Sequence, residues 1–97
     1  MELGYVLDEA TIIRDFELLK AGNFNAIRTS HYPQQPRFYE LADEYGFFVV
    51  GEANLETHLF RFDENLAPAR KPEWAAQMLD RTVRMIERDK NHPSIVI

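Results

Sequence analysis

The chain has 97 residues, of which 45% are apolar and 12% aromatic, and this content suits one modest globular domain rather than a disordered segment. Its formal net charge of −5 argues against a nucleic-acid partner, because phosphate binding needs a basic face and the basic cluster from Arg81 to Lys90 is interleaved with acidic residues, as on a solvated helix face. Cysteine is absent, which excludes disulfides, thiol nucleophiles and cysteine-ligated zinc.

The first predicted element is a helix that begins after Asp8, a favourable N-cap residue, and ends at Gly22. Its apolar residues recur at helical spacing: Ile12, Phe16 and Leu19. A buried strand over residues 25–30 follows, with Arg28 near its end and His31 directly after it. Both side chains are polar and costly to bury, so the end of this strand is a candidate site.

A second helix is predicted from Pro36, which suits a first helical turn, to Gly46, which suits a helix terminus. Its apolar stripe consists of Phe38, Leu41, Ala42 and Tyr45. Residues 47–50 then run apolar without alternation, which is typical of a parallel strand covered on both faces.

A third helix is predicted from Pro72 to about Lys90, followed by the start of a strand at residues 94–97. The apolar residues expected to be buried by this helix are Trp74, Met78, Leu79, Val83 and Ile86. The connection before it, Leu55 to Lys71, is far longer than the usual loop of a parallel α/β unit, so we expect it to be functional.

Helices that alternate with apolar strands predict parallel pairing through right-handed crossovers. Two fold classes satisfy this pattern, a doubly wound α/β sheet and part of a (β/α)8 barrel. Both bind their ligands at the carboxyl ends of the strands.

No apolar run approaches the roughly 20 residues that a membrane span needs, and the N-terminus lacks the basic and apolar regions of a signal peptide. We therefore expect no membrane partner. The location of the full-length protein stays open, with the cytoplasm favoured because no signal peptide is recognisable.

Residues 25–33 read Asn-Ala-Ile-Arg-Thr-Ser-His-Tyr-Pro. They are followed by the aromatic pair Phe38–Tyr39, Asp43, Gly46 and the apolar run 47–50. This pattern resembles the first signature of glycoside hydrolase family 2. Residues 89–97 resemble the opening of that family's second signature, which continues through a Trp to an Asn-Glu pair. The resemblance covers essentially the whole chain.

The resemblance implies the catalytic (β/α)8 TIM barrel of a retaining glycoside hydrolase. This chain would run from the first helix through the start of the fourth strand, so that residues 1–97 form a fragment of one barrel domain. Residues 51–58, Gly-Glu-Ala-Asn-Leu-Glu-Thr-His, are similar to a segment of the large bacterial β-galactosidases, whereas glucuronidases and mannosidases of the family differ there. The implied reaction is hydrolysis of terminal β-D-galactosides.

Arg28 needs a carboxylate partner, because an unpaired guanidinium near the end of a buried strand is costly. One interpretation pairs it with Glu52 on the neighbouring strand. The resemblance implies that Arg28 orients the nucleophilic glutamate of the full-length enzyme, which lies downstream. For His31, a solvated loop histidine is the ordinary interpretation, and the resemblance implies a hydrogen bond to galactosyl hydroxyls that strengthens toward the transition state. We expect both Arg28 and His31 to bind substrate.

Glu56 and His58 lie two residues apart, so in an extended segment their side chains project to the same side. A carboxylate with an imidazole suits Mg²⁺ or Mn²⁺, although by spacing alone the signal is weak and a solvated loop is the better interpretation. The resemblance implies Mg²⁺, with a third ligand from the acid/base glutamate beyond Ile97. From two ligands alone we expect weak Mg²⁺ binding or none. His92, beside Pro93, is expected to cap or pack at the opposite face of the barrel.

Glu52 and Glu56 could be mistaken for the catalytic carboxylates of a glycosidase. Four residues of extended chain, at about 3.3 Å each, would place them roughly 13 Å apart. A retaining enzyme needs about 5 to 5.5 Å and an inverting enzyme at most about 9.5 Å. We therefore expect no catalytic residue in this chain.

The leading hypothesis is part of a retaining β-galactosidase that is inactive on its own. One alternative is a β-glucuronidase or β-mannosidase of the same family, and another is a small non-catalytic α/β module that binds sugar or a partner. Expected partners of the full-length protein are a β-galactoside, the remaining barrel with its flanking domains, and further copies in a homo-oligomer.

Overall fold

The structure is a computed structural model that describes residues 6–60, 63 and 65–97. Helices alternate with short strands in the order α1 (Glu9–Ala21), β1 (Ala26–Arg28), α2 (Pro36–Tyr45), β2 (Phe48–Val50) and α3 (Pro72–Asp89). Two 3-10 turns, His58–Phe60 and Pro68–Arg70, lie in the long connection before α3. Among the helices described, none is both long and apolar enough to cross a membrane.

Residues at the helix ends set the helix boundaries, as the sequence predicts. Asp8 caps α1, because its carboxylate accepts a hydrogen bond from the Thr11 backbone N–H at 2.8 Å. Pro36 begins α2, where its missing N–H costs nothing. Gly46 ends α2 with a φ of 69°, a left-handed conformation that glycine adopts without the steric cost of a Cβ.

The two strands pair in parallel, with Ala26 opposite Phe48 and Arg28 opposite Val50, so the crossover through α2 is confirmed. Residues 94–97 lie along the other edge of β2. There the Val49 N–H donates to the Ser94 carbonyl at 2.7 Å, and Val49 accepts from the Val96 N–H at 3.0 Å. The predicted strand at 94–97 is thus present as a single parallel bridge between Val49 and Ile95.

The core lies between the two-stranded sheet and the helices α1 and α2. The Phe16 ring of α1 packs edge-on against Phe38 at 5.2 Å between ring centroids and lies 4.9 Å from the Phe47 ring. Among the described residues, the buried members of this core are Ile12, Phe16, Tyr39, Leu41, Ala42, Phe47 and Val49. This packing holds the carboxyl ends of β1 and β2 side by side.

The predicted burial of β2 on both faces is wrong for this chain. Phe47 and Val49 face the helices, whereas Phe48, on the opposite face, is 53% exposed. The reason is that no element among residues 6–60, 63 and 65–97 covers that second face. The predicted strand 25–30 is also shorter than expected, and the Arg28 side chain is 61% exposed rather than buried.

The predicted burial of the apolar residues of α3 is also wrong. Met78 is half-buried, and four others are exposed: Trp74, Leu79, Val83 and Ile86. Their amphipathic pattern correctly predicts the helix, but the described part of the chain supplies no surface large enough to cover them.

Candidate functional site

The candidate site lies where β1 and β2 end. Thr29, directly after β1, is buried and continues the strand pairing, because its backbone N–H donates to the Val50 carbonyl at 3.0 Å. Its hydroxyl oxygen accepts a hydrogen bond from the Glu52 backbone N–H, also at 3.0 Å. The Thr29 side chain therefore fixes the backbone of Glu52 next to the end of β1.

Arg28 pairs with Glu52 through a hydrogen bond from Nε to Oε1, as one of the two sequence interpretations predicts. This hydrogen bond, together with that to His31, lowers the pKa of Glu52 below its usual value, and the same pairing raises the pKa of Arg28. Glu52 is consequently ionised at neutral pH.

His31 follows a cis peptide bond with Ser30 and lies between two carboxylates. Its Nδ1 atom is 3.0 Å from Oε2 of Glu52 and 3.3 Å from Oε2 of Glu56. The imidazole is 41% exposed, so an external group can reach it. The fold thus brings together Arg28 and His31, both predicted to bind substrate, with Glu52 contacting both of them.

The expected 13 Å separation of Glu52 and Glu56 is wrong. Both carboxylates contact the same nitrogen of His31, so they lie no farther apart than the two contact distances of 3.0 and 3.3 Å combined. The chain is not extended between them, because the Leu55 N–H donates to the Ala53 carbonyl at 2.7 Å and closes a tight turn. Distance therefore does not exclude these two glutamates as a catalytic pair.

The charge of the two glutamates argues against catalysis by this pair. A glycosidase needs one carboxyl whose pKa is raised so that it can donate a proton to the leaving group. The pKa of Glu56 is lowered, mainly by a hydrogen bond from the His58 backbone N–H, and that of Glu52 is lowered by Arg28. Two ionised carboxylates are suited to accept hydrogen bonds from hydroxyl groups and not to act as general acids.

Glu56 and His58, the predicted metal ligands, are in contact. The His58 backbone N–H donates to Oε1 of Glu56 at 2.7 Å, and the Nδ1 atom of His58 contacts the same oxygen. The donor types fit a hard divalent cation that accepts one imidazole. The pair supplies two ligands, and within the described ranges no group of three or more His, Cys, Asp or Glu side chains is placed to hold a metal.

His92 lies at the amino ends of the strands, as predicted. Its Nδ1 atom is 2.6 Å from Oδ2 of Asp43 near the end of α2, and its ring packs 5.6 Å from the Tyr39 ring. The other oxygen of Asp43 accepts from the Ser94 N–H at 2.9 Å. Burial alone would raise the pKa of Asp43, but the hydrogen bonds from Ser94 and His92 outweigh it and leave the pKa below its usual value.

The interpretation of Arg81 to Lys90 as a solvated cluster misses two arginines. Arg81 donates to the Asn54 carbonyl at 2.6 Å, and Arg88 donates to the Gln34 carbonyl at 2.8 Å. Both arginines therefore reach loops that follow the strands. The sequence spacing could have indicated these contacts. Each arginine follows a half-buried methionine of α3 by three residues, and residues three apart lie on the same face of a helix, here the inner face.

Comparisons with known proteins agree with this architecture. Residues 2–97 match the family described as "Glycosyl hydrolases family 2, TIM barrel domain". A β-galactosidase of Vibrio cholerae serotype O1 is 55% identical over 100 residues, which cover 99% of this chain and 9% of that protein. "Beta-galactosidase 2" of Enterobacter cloacae is 52% identical over 96 residues, with the same coverage of both chains.

Solved structures give the same result for the fold. A β-glucuronidase from Ruminococcus gnavus in complex with D-glucuronic acid superposes with a TM-score of 0.77 at 37% identity, covering 93% of this chain and 14% of that one. The chain spans only 9% of the length of the curated relatives described above. Its parallel strands, crossover helices and signature residues place it in the (β/α)8 barrel, and the chain belongs to glycosyl hydrolase family 2.

Proposed function

We propose that the full-length protein containing this chain is a retaining β-galactosidase, in which Arg28 and His31 bind the galactosyl group. The observation that carries the proposal is the cluster of Arg28, His31, Glu52 and Glu56 at the carboxyl ends of adjacent parallel strands. Barrel enzymes bind and transform their substrates at this end. The acid/base and nucleophilic glutamates would come from downstream of Ile97.

The charges of the cluster favour a neutral sugar. Glu52 and Glu56 are both ionised, and the nearby cation, Arg28, is already paired with Glu52. The carboxylate of a uronic acid would add a negative charge next to Glu52 and Glu56. Repulsion between like charges therefore disfavours binding of a uronic acid here. Hydroxyl groups of a galactoside, in contrast, are good donors to carboxylates and to an unprotonated imidazole nitrogen.

The relatives point to the same substrate. Those at 55% and 52% identity are named β-galactosidases, whereas the glucuronidase structure is 37% identical. β-Glucuronidase activity is the second candidate function, favoured by that structural likeness alone. The proposal includes Mg²⁺ bound through Glu56 and His58, where the cation would supply positive charge close to the sugar hydroxyls.

The test uses the full-length protein with p-nitrophenyl β-galactoside and p-nitrophenyl β-glucuronide. We expect kcat/KM to favour the galactoside, and His31→Ala to lower it by about 100-fold or more because a hydrogen bond that strengthens in the transition state is lost. Arg84→Ala is the matched control, since Arg84 on α3 is 80% exposed and pairs with Asp80. Preference for the glucuronide, or full activity of His31→Ala, would contradict the proposal.

A further inference from the structure

The loop between β1 and α2, residues 29–35, carries His31 and is anchored at both ends. At its start, Thr29 is bound to Val50 as described above, and its carbonyl accepts from the Tyr32 N–H at 3.1 Å. Near its end, both backbone polar groups of Gln34 are held by side chains. The Gln34 N–H donates to the Tyr39 hydroxyl at 3.0 Å, and the Gln34 carbonyl accepts from Nη2 of Arg88 at 2.8 Å.

The two side chains that hold Gln34 are themselves fixed. Arg88 forms a bidentate pair with Asp89, with Nε at 2.6 Å and Nη2 at 2.7 Å from the two carboxylate oxygens. Its guanidinium carbon lies 5.7 Å from the centroid of the Tyr39 ring. Tyr39 is 1% exposed and Asp89 is 3% exposed. The Arg88 side chain is 42% exposed, but its partners Tyr39 and Asp89 are buried polar groups that are costly to leave unpaired, so we expect these contacts to persist.

We infer that Tyr39 and Arg88 are positioning residues, which hold the 29–35 loop so that the His31 imidazole stays between Glu52 and Glu56. The inference rests on the proposed function in one respect, namely that His31 contacts the substrate. The physical reason is that His31 lies between the two anchors at Thr29 and Gln34, and release of the second anchor frees the ring to leave the carboxylates. A displacement of about 1 Å in a site of this kind can cost about 100-fold in rate.

Tyr39→Phe in the full-length protein is the sharpest test, because it removes only the hydroxyl, which binds Gln34 and also contacts the Thr29 and Arg88 side chains. We expect faster hydrogen exchange in peptides covering residues 29–35 and a fall in kcat/KM for the galactoside of about 10-fold, the amount that about 1.4 kcal/mol of lost interaction produces. Tyr45→Phe is the matched control on the same helix, where Tyr45 packs 5.8 Å from the Phe16 ring. Neither readout should change in the control.

Arg88→Lys tests the second positioning residue, since lysine keeps the charge but not the bidentate geometry. We expect it to reproduce both effects of Tyr39→Phe, while Arg84→Lys on the exposed face of α3 changes neither. Unchanged exchange of residues 29–35 in both Tyr39→Phe and Arg88→Lys would overturn the inference.

A double-mutant cycle separates positioning from a general structural role. If Tyr39 acts through His31, then Tyr39→Phe lowers kcat/KM in the unaltered protein and has no further effect in His31→Ala. Equal losses in both backgrounds would show that Tyr39 is merely structural and would overturn the inference. If the unaltered protein hydrolyses no galactoside, the proposed function fails. Hydrogen exchange of residues 29–35, compared between Tyr39→Phe and Tyr45→Phe, still decides whether the Tyr39 hydroxyl holds the loop.

Discussion

Arg28, the last residue of β1, pairs with Glu52, two residues beyond the end of the neighbouring strand β2. The Arg28 side chain is 61% exposed, and exposed ion pairs contribute little to stability because water screens them and ordering two side chains costs entropy. The pair therefore serves orientation more than stability. It keeps one oxygen of Glu52 on the guanidinium while the other faces His31.

Glu52→Gln tests this role in the full-length protein. The amide keeps the shape of the side chain but loses the charge that holds Arg28 and His31, so we expect kcat/KM for the galactoside to fall by about 10- to 100-fold. Thermal stability should change little. Asp80→Asn, which removes an exposed carboxylate paired with Arg84 on α3, is the control and should leave both quantities unchanged. A large loss of stability without a loss of activity would contradict the orienting role.

Asp43→Asn tests the link between α2 and the segment that begins at Ser94. The folded-state pKa of Asp43 lies below the unfolded value of about 3.9, so its contribution to stability is present above pH 4 and is lost as pH falls through the folded pKa. We expect the variant to be less stable at pH 7 by about 1–2 kcal/mol, because hydrogen bonds from His92 and Ser94 to a charge are weakened.

The difference should shrink as the pH falls below about 4 toward pH 3, because Asp43 is then protonated first in the unfolded chain, where its pKa is the higher one. Urea unfolding of the 97-residue chain at low concentration, followed by circular dichroism at both pH values, measures it. Asp80→Asn is again the control and should show a small difference at either pH, since Asp80 is exposed. A stability difference for Asp43→Asn that stays constant with pH would show that the carboxylate charge is not responsible.

The parts of the fold that local chemistry determines could be predicted from the sequence. Asp8, Pro36 and Gly46 mark helix ends because each satisfies or tolerates unpaired backbone groups within one turn of itself. The pairing of Arg28 with Glu52 could be expected as well, since parallel strands align their carboxyl ends.

Two of the wrong predictions depend on distant partners or on a turn with a weak residue signal. The apolar face of α3 predicts burial, but the described residues do not provide the surface that would cover Leu79 and Val83. The turn that brings Glu56 near Glu52 contains neither Gly nor Pro, and its one residue signal is the central Asn54, a common turn residue that does not by itself demand a turn. The hydrogen bond that closes this turn, from the Leu55 N–H to the Ala53 carbonyl, is seen only in the structure.

The 97-residue chain alone is expected to hydrolyse no β-galactoside above background. Glu52 and Glu56 are close enough to resemble a catalytic pair, but the pKa of each is lowered, which is the opposite of what a proton donor to the leaving group requires. Purified chain assayed with p-nitrophenyl β-galactoside checks this expectation. Turnover that disappears in His31→Ala would contradict this expectation, because it would place catalysis in the cluster that contains His31.

Binding of Mg²⁺ to the isolated chain should be weak or undetectable by titration calorimetry. Glu56 and His58 supply two ligands, and the cation would have to displace the contact between His58 Nδ1 and Glu56 Oε1 while keeping most of its water. His92→Ala is a suitable control, because His92 lies at the opposite ends of the strands. Micromolar affinity that is lost in His58→Ala but kept in His92→Ala would mean that the chain contains a third ligand.

The isolated chain is expected to self-associate. In a complete barrel every strand has two neighbours, but here the outer edge of β1 and that of residues 94–97 have no strand partner among the residues described. Phe48 is exposed on the open sheet face, and an apolar cavity of about 160 Å³ separates part of α3 from Ile95 and Ile97. Residues 94–97 should therefore be the least protected part of the sheet.

Light scattering and hydrogen exchange on the same sample test this expectation together. Phe48→Lys should shift the chain toward monomer, because a charge on the open sheet face opposes association and burying it in an interface is costly. Leu18→Lys is the matched control, since Leu18 is an exposed apolar residue of helix α1 and not of the sheet. Association buries apolar surface at about 25 cal/mol per Å², so the effect of Phe48→Lys should grow with protein concentration. A stable monomer at high concentration, with residues 94–97 strongly protected from exchange, would show that the chain folds independently and would favour the interpretation as an autonomous α/β module.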